Sequence, residues 1–436
     1  MNSSSYPEIT IIGAGLSGLS LAYHYPGKSK IFEKMIRIGG TAGTDREGEF
    51  FYDHGPHVSF TKDPYVTQLL SRNVEVVERV ARPMNVFQKR EFPHPALFHL
   101  NRFSKQERFN ILKDLVESYR KLDPKNQPKN YEEWLMKSQG EYFAVNYTNR
   151  YTRKFWQTES KYMTTDWVSA RIPNPSITEA LSGSLGMGNK SGYYFERFRY
   201  PKYGGFGSFS NFWKSRKEDI EVNLQMEVVE IDTKNKVLRF SDKSSIDYRH
   251  LVSTIPLPEL TTIVSGLPRE IKNLIEKLRY TSLHYVNLAL KGGWKRRFSW
   301  LYIYDEDIPV SRMIPFNSIN PTASPSGTTS LQLEIPFTHR FNLALVDQSI
   351  SKMQEIGYIN SDRILKITNT DLKYGYVIYD KSREEVLSKI RTYLEAEGIL
   401  LLGRYGTWKY LWSHQAILQG REMASKITRT VSKNKH

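Results

Sequence analysis

The 436-residue chain has no cysteine. Disulfides, thiolate metal sites, iron–sulfur clusters and a cysteine nucleophile are excluded together, and the composition suits a reducing compartment. Histidines do not cluster, so no metal is expected. No segment approaches the roughly 18–20 apolar residues of a membrane helix. The N-terminus lacks a basic region followed by an apolar stretch, so the expectation is a cytoplasmic protein without a membrane span. There is no block of five or more Lys/Arg, no internal repeat and no low-complexity segment.

What is present points elsewhere. Lys+Arg number 62 against 46 Asp+Glu, a net charge of +16. Solubility alone could account for this, as could an anionic partner; the cations are scattered, apart from a short tail from Lys426 to Lys435, which argues against nucleic acid. With 27 Tyr, 21 Phe and 8 Trp, rings are plentiful enough to line a site for a planar ligand or simply to pack a core. The length favours more than one domain, and 39% hydrophobic with 25% charged residues favours a globular chain.

The first chemistry lies in residues 8–33. Ile9 to Ile12 is a short β-branched run fit for a buried parallel strand. Gly13-Ala14-Gly15-Leu16-Ser17-Gly18 follows, then a helix ended by Pro26-Gly27, then a second strand finishing at Glu33, 20 residues after Gly13. This is the full dinucleotide-binding arrangement. Gly13 permits the tight turn, Gly15 admits the pyrophosphate, Gly18 lets helix and strand pack, and Glu33 accepts from a ribose hydroxyl. A second glycine segment, Arg37-Ile38-Gly39-Gly40-Thr41-Ala42-Gly43, would press backbone against an extended ligand, and Asp53-His54-Gly55-Pro56-His57 comes soon after.

Helical spacing runs from Phe103 to Leu122 and resumes at Asn130 to Met136. Glu221 to Ile231 alternates as one strand, and His250 to Pro256 returns to the nucleotide sheet. Strand-like runs recur at His284–Lys291, Trp300–Tyr304 and Ser330–Ile335. From Ile399 the order is strand, Gly403-Arg404-Tyr405-Gly406, an aromatic stretch, and a helix from about His414 that would aim its N-terminus at the cofactor. The expected fold is α/β: a discontinuous Rossmann-type dinucleotide-binding domain (1–90, 196–265, 396–436) with a helical insertion (91–195) and a mixed β-sheet substrate domain (266–395).

These segments resemble a flavoprotein superfamily that includes amine oxidases and protoporphyrinogen oxidases, and within it the UDP-galactopyranose mutases of eukaryotic type, over nearly the whole chain. The resemblance implies FAD as cofactor, contacted by Gly13, Gly15, Gly18, Glu33, Arg37, Gly39, Gly40, Thr41, His57, Val228, Gly403, Arg404 and Gln415. "YTRKFWQTESKYM" places Tyr151 and Trp156 beside a uridine site. "WVSARIPNP" and "WLYIYDEDIPVSRMIPFNSINP" place Arg171 and Arg312 at a substrate pyrophosphate, and "YGYVIYDKSRE" and "GRYGTWKYLWSHQ" add Tyr376 and Tyr410 as donors. Either arginine could instead pair with a carboxylate, and either tyrosine could be a core residue.

The implied activity is interconversion of pyranose and furanose forms of a nucleotide sugar, catalysed covalently through N5 of reduced flavin, with His57, Arg171 and Arg312 as catalytic residues. NAD(P)H or another reductant would be a partner. The alternatives are a flavin oxidoreductase of the amine oxidase or protoporphyrinogen oxidase kind, and a non-catalytic flavin-fold protein. Four departures bear on the substrate. Ile319 replaces a diphosphate-binding tyrosine, His414 replaces an asparagine, and His94-Pro95-Ala96-Leu97 lacks the tyrosine and glutamine of the base site. Pro56 replaces the glycine before His57 and should stiffen that loop.

Overall fold

A computed structural model describes residues 6–121, 125–168, 171–172, 174–187 and 195–433. Residues 169, 170 and 173, within the segment around Arg171, and the end of the basic tail (434–436) lie outside the described residues. Among the described residues no helix is long and apolar enough to cross a membrane.

Two sheets organise the molecule. The first has five parallel strands in the order Ile399–Leu401, Leu251–Ser253, Ile9–Ile12, Ser29–Glu33 and Ile220–Leu224. Its strands come from three separate stretches of chain and are mostly buried, as apolar β-branched sequence requires when both faces are covered. On one face the helices Leu16–His24 and Ser413–Lys433 cross in contact. Gly420 makes this possible, since a Cβ there would lie 2.7 Å from the Ser17 carbonyl. A three-stranded antiparallel sheet, Val228–Asp232, Val237–Phe240 and Ser245–Asp247, meets the parallel sheet through the Phe32 and Phe240 rings, 4.8 Å apart.

The alternation over Glu221–Ile231 therefore belongs to two strands in different sheets. Gln225 breaks them with φ +58°, and the N–H groups of Gln225 and Met226 turn back to the carbonyls of Met35 and Glu33.

The second sheet has seven strands in the order Ile364–Val377, Tyr280–Lys291, Thr328–Phe337, Arg312–Pro315, Trp300–Ile303, Pro83–Phe87 and Arg90–Pro93. Only Trp300–Ile303 and Pro83–Phe87 pair in parallel. Residues 83–93 thus extend this sheet rather than the nucleotide domain, because a hairpin there adds to an open strand edge. Val286, Leu288, Met313, Leu331 and Leu333 pack one face of the sheet with helix Ala344–Glu355.

Against the other side stand helices Lys105–Arg120, Tyr131–Gln139, Asn149–Trp156 and Ile177–Leu185. Their starts are written locally. Ser104 with Glu107, and Ser176 with Glu179, form reciprocal capping boxes, and Asn130 caps the N–H of Glu133. One irregular π turn, Ala144–Thr148, leads into Asn149–Trp156 and brings that helix's rings to the site.

Candidate active site

Strand Ile9–Ile12 hands the chain into the glycine turn, where three glycines serve three purposes. Gly13 has φ +100°, and a Cβ on it would lie 2.3 Å from Thr254 Oγ1. A Cβ on Gly18 would lie 2.3 Å from the Gly13 carbonyl, so helix and turn touch. A Cβ built on Gly15 would meet nothing within 4 Å. That open space faces the N-terminus of Leu16–His24, which carries no side-chain cap, and a pyrophosphate fits such a cradle of N–H groups.

Glu33 is buried beside the turn, accepting from Ala14 N at 2.8 Å and Met35 N at 2.9 Å. Each carboxylate oxygen keeps a lone pair for a ribose hydroxyl. Gly39 N donates to Ala14 O at 2.8 Å, and a Cβ on Gly40 would lie 3.2 Å from Gly15 Cα, so the two glycine segments abut. Arg37 folds over the second, donating to Gly40 O at 3.1 Å and to Asp45 at 2.9 Å. Thr41 lies beside the Tyr405 hydroxyl. Val228 follows Met226, whose N–H reaches Glu33 O at 2.9 Å, and so stands at the acid end of the cradle. Gly403, at φ +83°, lets the C-terminal segment press on Ser17, whose Oγ would lie 2.8 Å from its Cβ.

The loop Asp53–His57 is pinned from two sides. Buried Asp53 accepts from Thr44 Oγ1 at 2.5 Å, Tyr200 at 2.5 Å and Phe206 N at 3.0 Å. Burial still pushes its pKa up to about 6. From the seven-stranded sheet, Gln332 donates to Asp53 O at 2.8 Å and accepts from Gly55 N at 3.2 Å. The His57 ring lies 5.4 Å from Phe206. Burial, with the nearby guanidinium groups of Arg404 and Arg312, lowers its pKa to about 3, so it is neutral at physiological pH. Its Nδ1 is buried without a partner among the described residues.

Beside this loop a cavity of ≈ 190 Å³ opens between the helical segment and the seven-stranded sheet. Tyr151, Trp156, Arg171, Arg312 and Tyr410, from four separate sequence segments, all line it. Tyr376 stands behind them, its ring 4.3 Å from Phe155 and its hydroxyl accepting from Arg312 Nη2 at 2.6 Å. Phe155, Tyr302 and Tyr304 complete the aromatic walls.

Arg312 has the carboxylate partner that the sequence left open. Its Nε donates to Glu334 Oε1 at 2.9 Å and its Nη2 to Oε2 at 2.5 Å, across directly opposed strand positions. Sequence reasoning missed Glu334. The available signal is an acid inside the apolar strand "LQLEIPF", where a buried charge requires a cationic neighbour. A Cβ on Gly55 would lie 3.4 Å from Arg312 Nη2, so the histidine loop and the cavity share this wall.

Arg171 donates to Trp167 O at 3.1 Å and Tyr410 O at 2.6 Å, and its guanidinium stacks 4.5 Å from the Trp412 ring. Gln415 is turned to the same place. Its Oε1 accepts from Trp412 N at 2.9 Å and lies 3.4 Å from Arg171 Nη2. Arg404 donates to the carbonyls of Leu411 and Gly375. Of the departures, His94, Ala96 and Leu97 line the cavity, Ile319 is fully buried in the core, and His414 lies 5.6 Å from both Phe60 and Trp412.

Solved structures share this architecture. A reduced UDP-galactopyranose mutase superposes with a TM-score of 0.88 at 23% identity, covering 98% of this chain and 94% of that one. A protein provisionally assigned as a protoporphyrinogen oxidase from Exiguobacterium sp. 255-15 gives 0.73 at 15% identity, over 97% and 99% of the two chains. A fatty acid isomerase from P. acnes that produces CLA gives 0.64 at 11% identity, over 98% and 99%. At these identities the likeness is one of fold. The cofactor is FAD: the matching family is flavin-containing, and the open cradle at Gly15 with Glu33 at its end fits a dinucleotide. Residues 16–427 match the flavin-containing amine oxidoreductases, and the chain belongs to that family of flavin-dependent enzymes.

Proposed function

We propose that the protein is a nucleotide-sugar mutase, interconverting the pyranose and furanose forms of a sugar carried on a nucleoside diphosphate. The observation that carries this reading is the cavity lining. Two guanidinium groups and several rings converge there, and among the described residues no carboxylate lines it. A pyrophosphate is dianionic, and planar guanidinium groups bind its oxygens through paired, charge-assisted hydrogen bonds. The faces of Tyr151, Phe155 and Trp156 suit a base.

Reduced flavin, when bound, supplies a nucleophilic N5 for the anomeric carbon. The chain does the rest. Arg171 and Arg312 hold the diphosphate so that the departing group stays close enough to return. Glu334 fixes the orientation of Arg312, while Tyr376 and Tyr410 add neutral donors. His57, neutral, offers a hydrogen-bonding edge on the flavin side rather than a cationic acid. The aromatic walls exclude water that would hydrolyse an activated sugar. A reductant of the NAD(P)H class would prepare the flavin.

The rival reading is an oxidoreductase acting on a C–H or C–N bond. It draws on the wall at His94–Leu97, which lacks the polar contacts of the resembled base site. An amine entering as a cation would, however, face Arg171. The test is anaerobic: dithionite-reduced holoprotein is given UDP-, dTDP- and GDP-furanoses, and the products are separated by ring form. Ring interconversion with any of them is the expected result. No conversion across the panel, together with anaerobic bleaching of the flavin by an amine in a separate sample of oxidised holoprotein, refutes the mutase.

A further inference from the structure

The resemblance assigns Arg404 to the flavin, yet its hydrogen bonds run the other way. Nη1 donates to Leu411 O at 3.2 Å and Nη2 to Gly375 O at 3.0 Å. Gly375 immediately precedes Tyr376, and its carbonyl also accepts from the Tyr405 hydroxyl at 3.1 Å. The Arg404 guanidinium lies 4.5 Å from the Tyr410 ring centroid, and the Arg171 guanidinium lies 5.0 Å from the same centroid. Arg171 also donates to the Tyr410 carbonyl at 2.6 Å. The same phenol ring also meets Trp156 at 5.8 Å, Tyr376 at 6.2 Å and Trp167 at 6.3 Å.

Two guanidinium groups near one another repel, and partial burial removes the water that would screen them. An aromatic ring within reach of both gives each cation a partner, and the ring is held in return. Arg404 itself does not line the cavity, whereas Arg171 and Tyr410 do. Its Nε is buried without a hydrogen-bond partner among the described residues.

We propose that Arg404 is a positioning residue of the substrate cavity, fixing Tyr410 against Arg171 and, through Gly375, steadying the strand that carries Tyr376. Nucleotide binding then depends on a side chain that the ligand does not touch. The choice of ligand rests on the nucleotide reading of the cavity; the ordering of the ring rests on geometry alone.

Arg404→Met and Arg404→Lys test it in the flavin-loaded protein. Met removes the cation, and Lys keeps it without the planar fork that reaches both carbonyls. UDP and inorganic pyrophosphate are titrated against the fluorescence of Trp156, Trp167 and Trp412 on the cavity wall. Arg404→Met should lose about tenfold in UDP affinity, and Arg404→Lys less, read on the flavin-loaded fraction of each variant. Fluorotyrosine placed at position 410 reads the ring without ligand: one sharp fluorine line in the wild type, shifted and broadened in both variants.

An unmoved fluorine line in flavin-replete Arg404→Met overturns the proposal whatever the affinity does, since the arginine then acts on the ligand directly or not at all. Flavin lost from both variants with the line unmoved makes Arg404 a cofactor residue only, and overturns it too. A moved line with UDP affinity unchanged also defeats it. If the wild type binds neither UDP nor pyrophosphate, the mutase reading falls, and the fluorine line alone decides the positioning role.

Discussion

Replacing Glu334 with Gln should destabilise the protein by about 3–5 kcal/mol, although the two side chains have nearly the same shape. The Glu334 side chain is 0% exposed and that of Arg312 14%, and they share hydrogen bonds of 2.9 and 2.5 Å. In the Gln variant one bond becomes donor facing donor, and Arg312 is left as a buried cation with no counter-charge. Removing both partners is a different perturbation. Arg312→Leu with Glu334→Leu eliminates two charges at similar volume. It strands only the Tyr376 hydroxyl, 2.6 Å from Arg312 Nη2, because Ser311 Oγ, 3.0 Å from Glu334 Oε1, keeps its bond to the Glu334 backbone carbonyl at 3.2 Å. Leaving that buried hydroxyl unsatisfied costs about 1–3 kcal/mol, so the double variant should be no less stable than Glu334→Gln. Guanidinium unfolding of the wild type, the single variants and the double variant, followed by tryptophan fluorescence, measures the coupling. Additive single effects, or a Glu334→Gln cost below about 1 kcal/mol, would refute the argument, because the pair would then behave as a solvent-screened surface bridge.

Gly15→Val should abolish flavin binding yet leave a folded apoprotein, because its Cβ enters open space; Gly18→Val should lower the melting temperature, because its Cβ would lie 2.3 Å from the Gly13 carbonyl. Flavin retained by Gly15→Val would show that the cofactor lies elsewhere. Arg171→Ala should keep the flavin spectrum and weaken UDP binding by about tenfold to a hundredfold, the worth of a hydrogen bond to a charged group; an unchanged affinity would remove Arg171 from the site. Burial lowers the pKa of both His57 and His94 from 6.5 to about 3. The unfolded chain binds the extra protons in that window, so stability falls as pH drops from 6.5 towards 3. Asp53, raised from 3.8 to about 6, acts in the opposite sense between those values and offsets part of the loss. His94→Phe should flatten the acid limb of melting temperature against pH, and an unaltered slope would contradict the assignment.

What could be read from sequence divides by the distance over which each feature is encoded. The cofactor cradle was accessible because turn, helix and acid lie within one short stretch, each with its own residue chemistry. Glu221–Ile231 misled for a physical reason: the apolar phase continues unbroken through Gln225, and a left-handed glutamine carries none of the marks of Gly or Asn. Glu334 was invisible because its role exists only in the register between two strands, 22 residues from Arg312. Arg404 sits in a local motif that suggests the flavin, while its partners come from strand Ile364–Val377 and from the Tyr410 ring. The departures separate by the same logic. Ile319 is fully buried among core residues, so a missing tyrosine there is absorbed by packing. His94, Ala96 and Leu97 remain on the cavity wall, where a changed side chain changes what the ligand meets. There His94 Nδ1 donates to the buried Asn85 Oδ1 at 3.0 Å, and Asn85 is itself oriented by its Nδ2 bond to Pro93 O at 3.1 Å. The substitution therefore comes with its own supporting hydrogen bonds, and specificity in this cavity should be sought along 94–97 before any other segment.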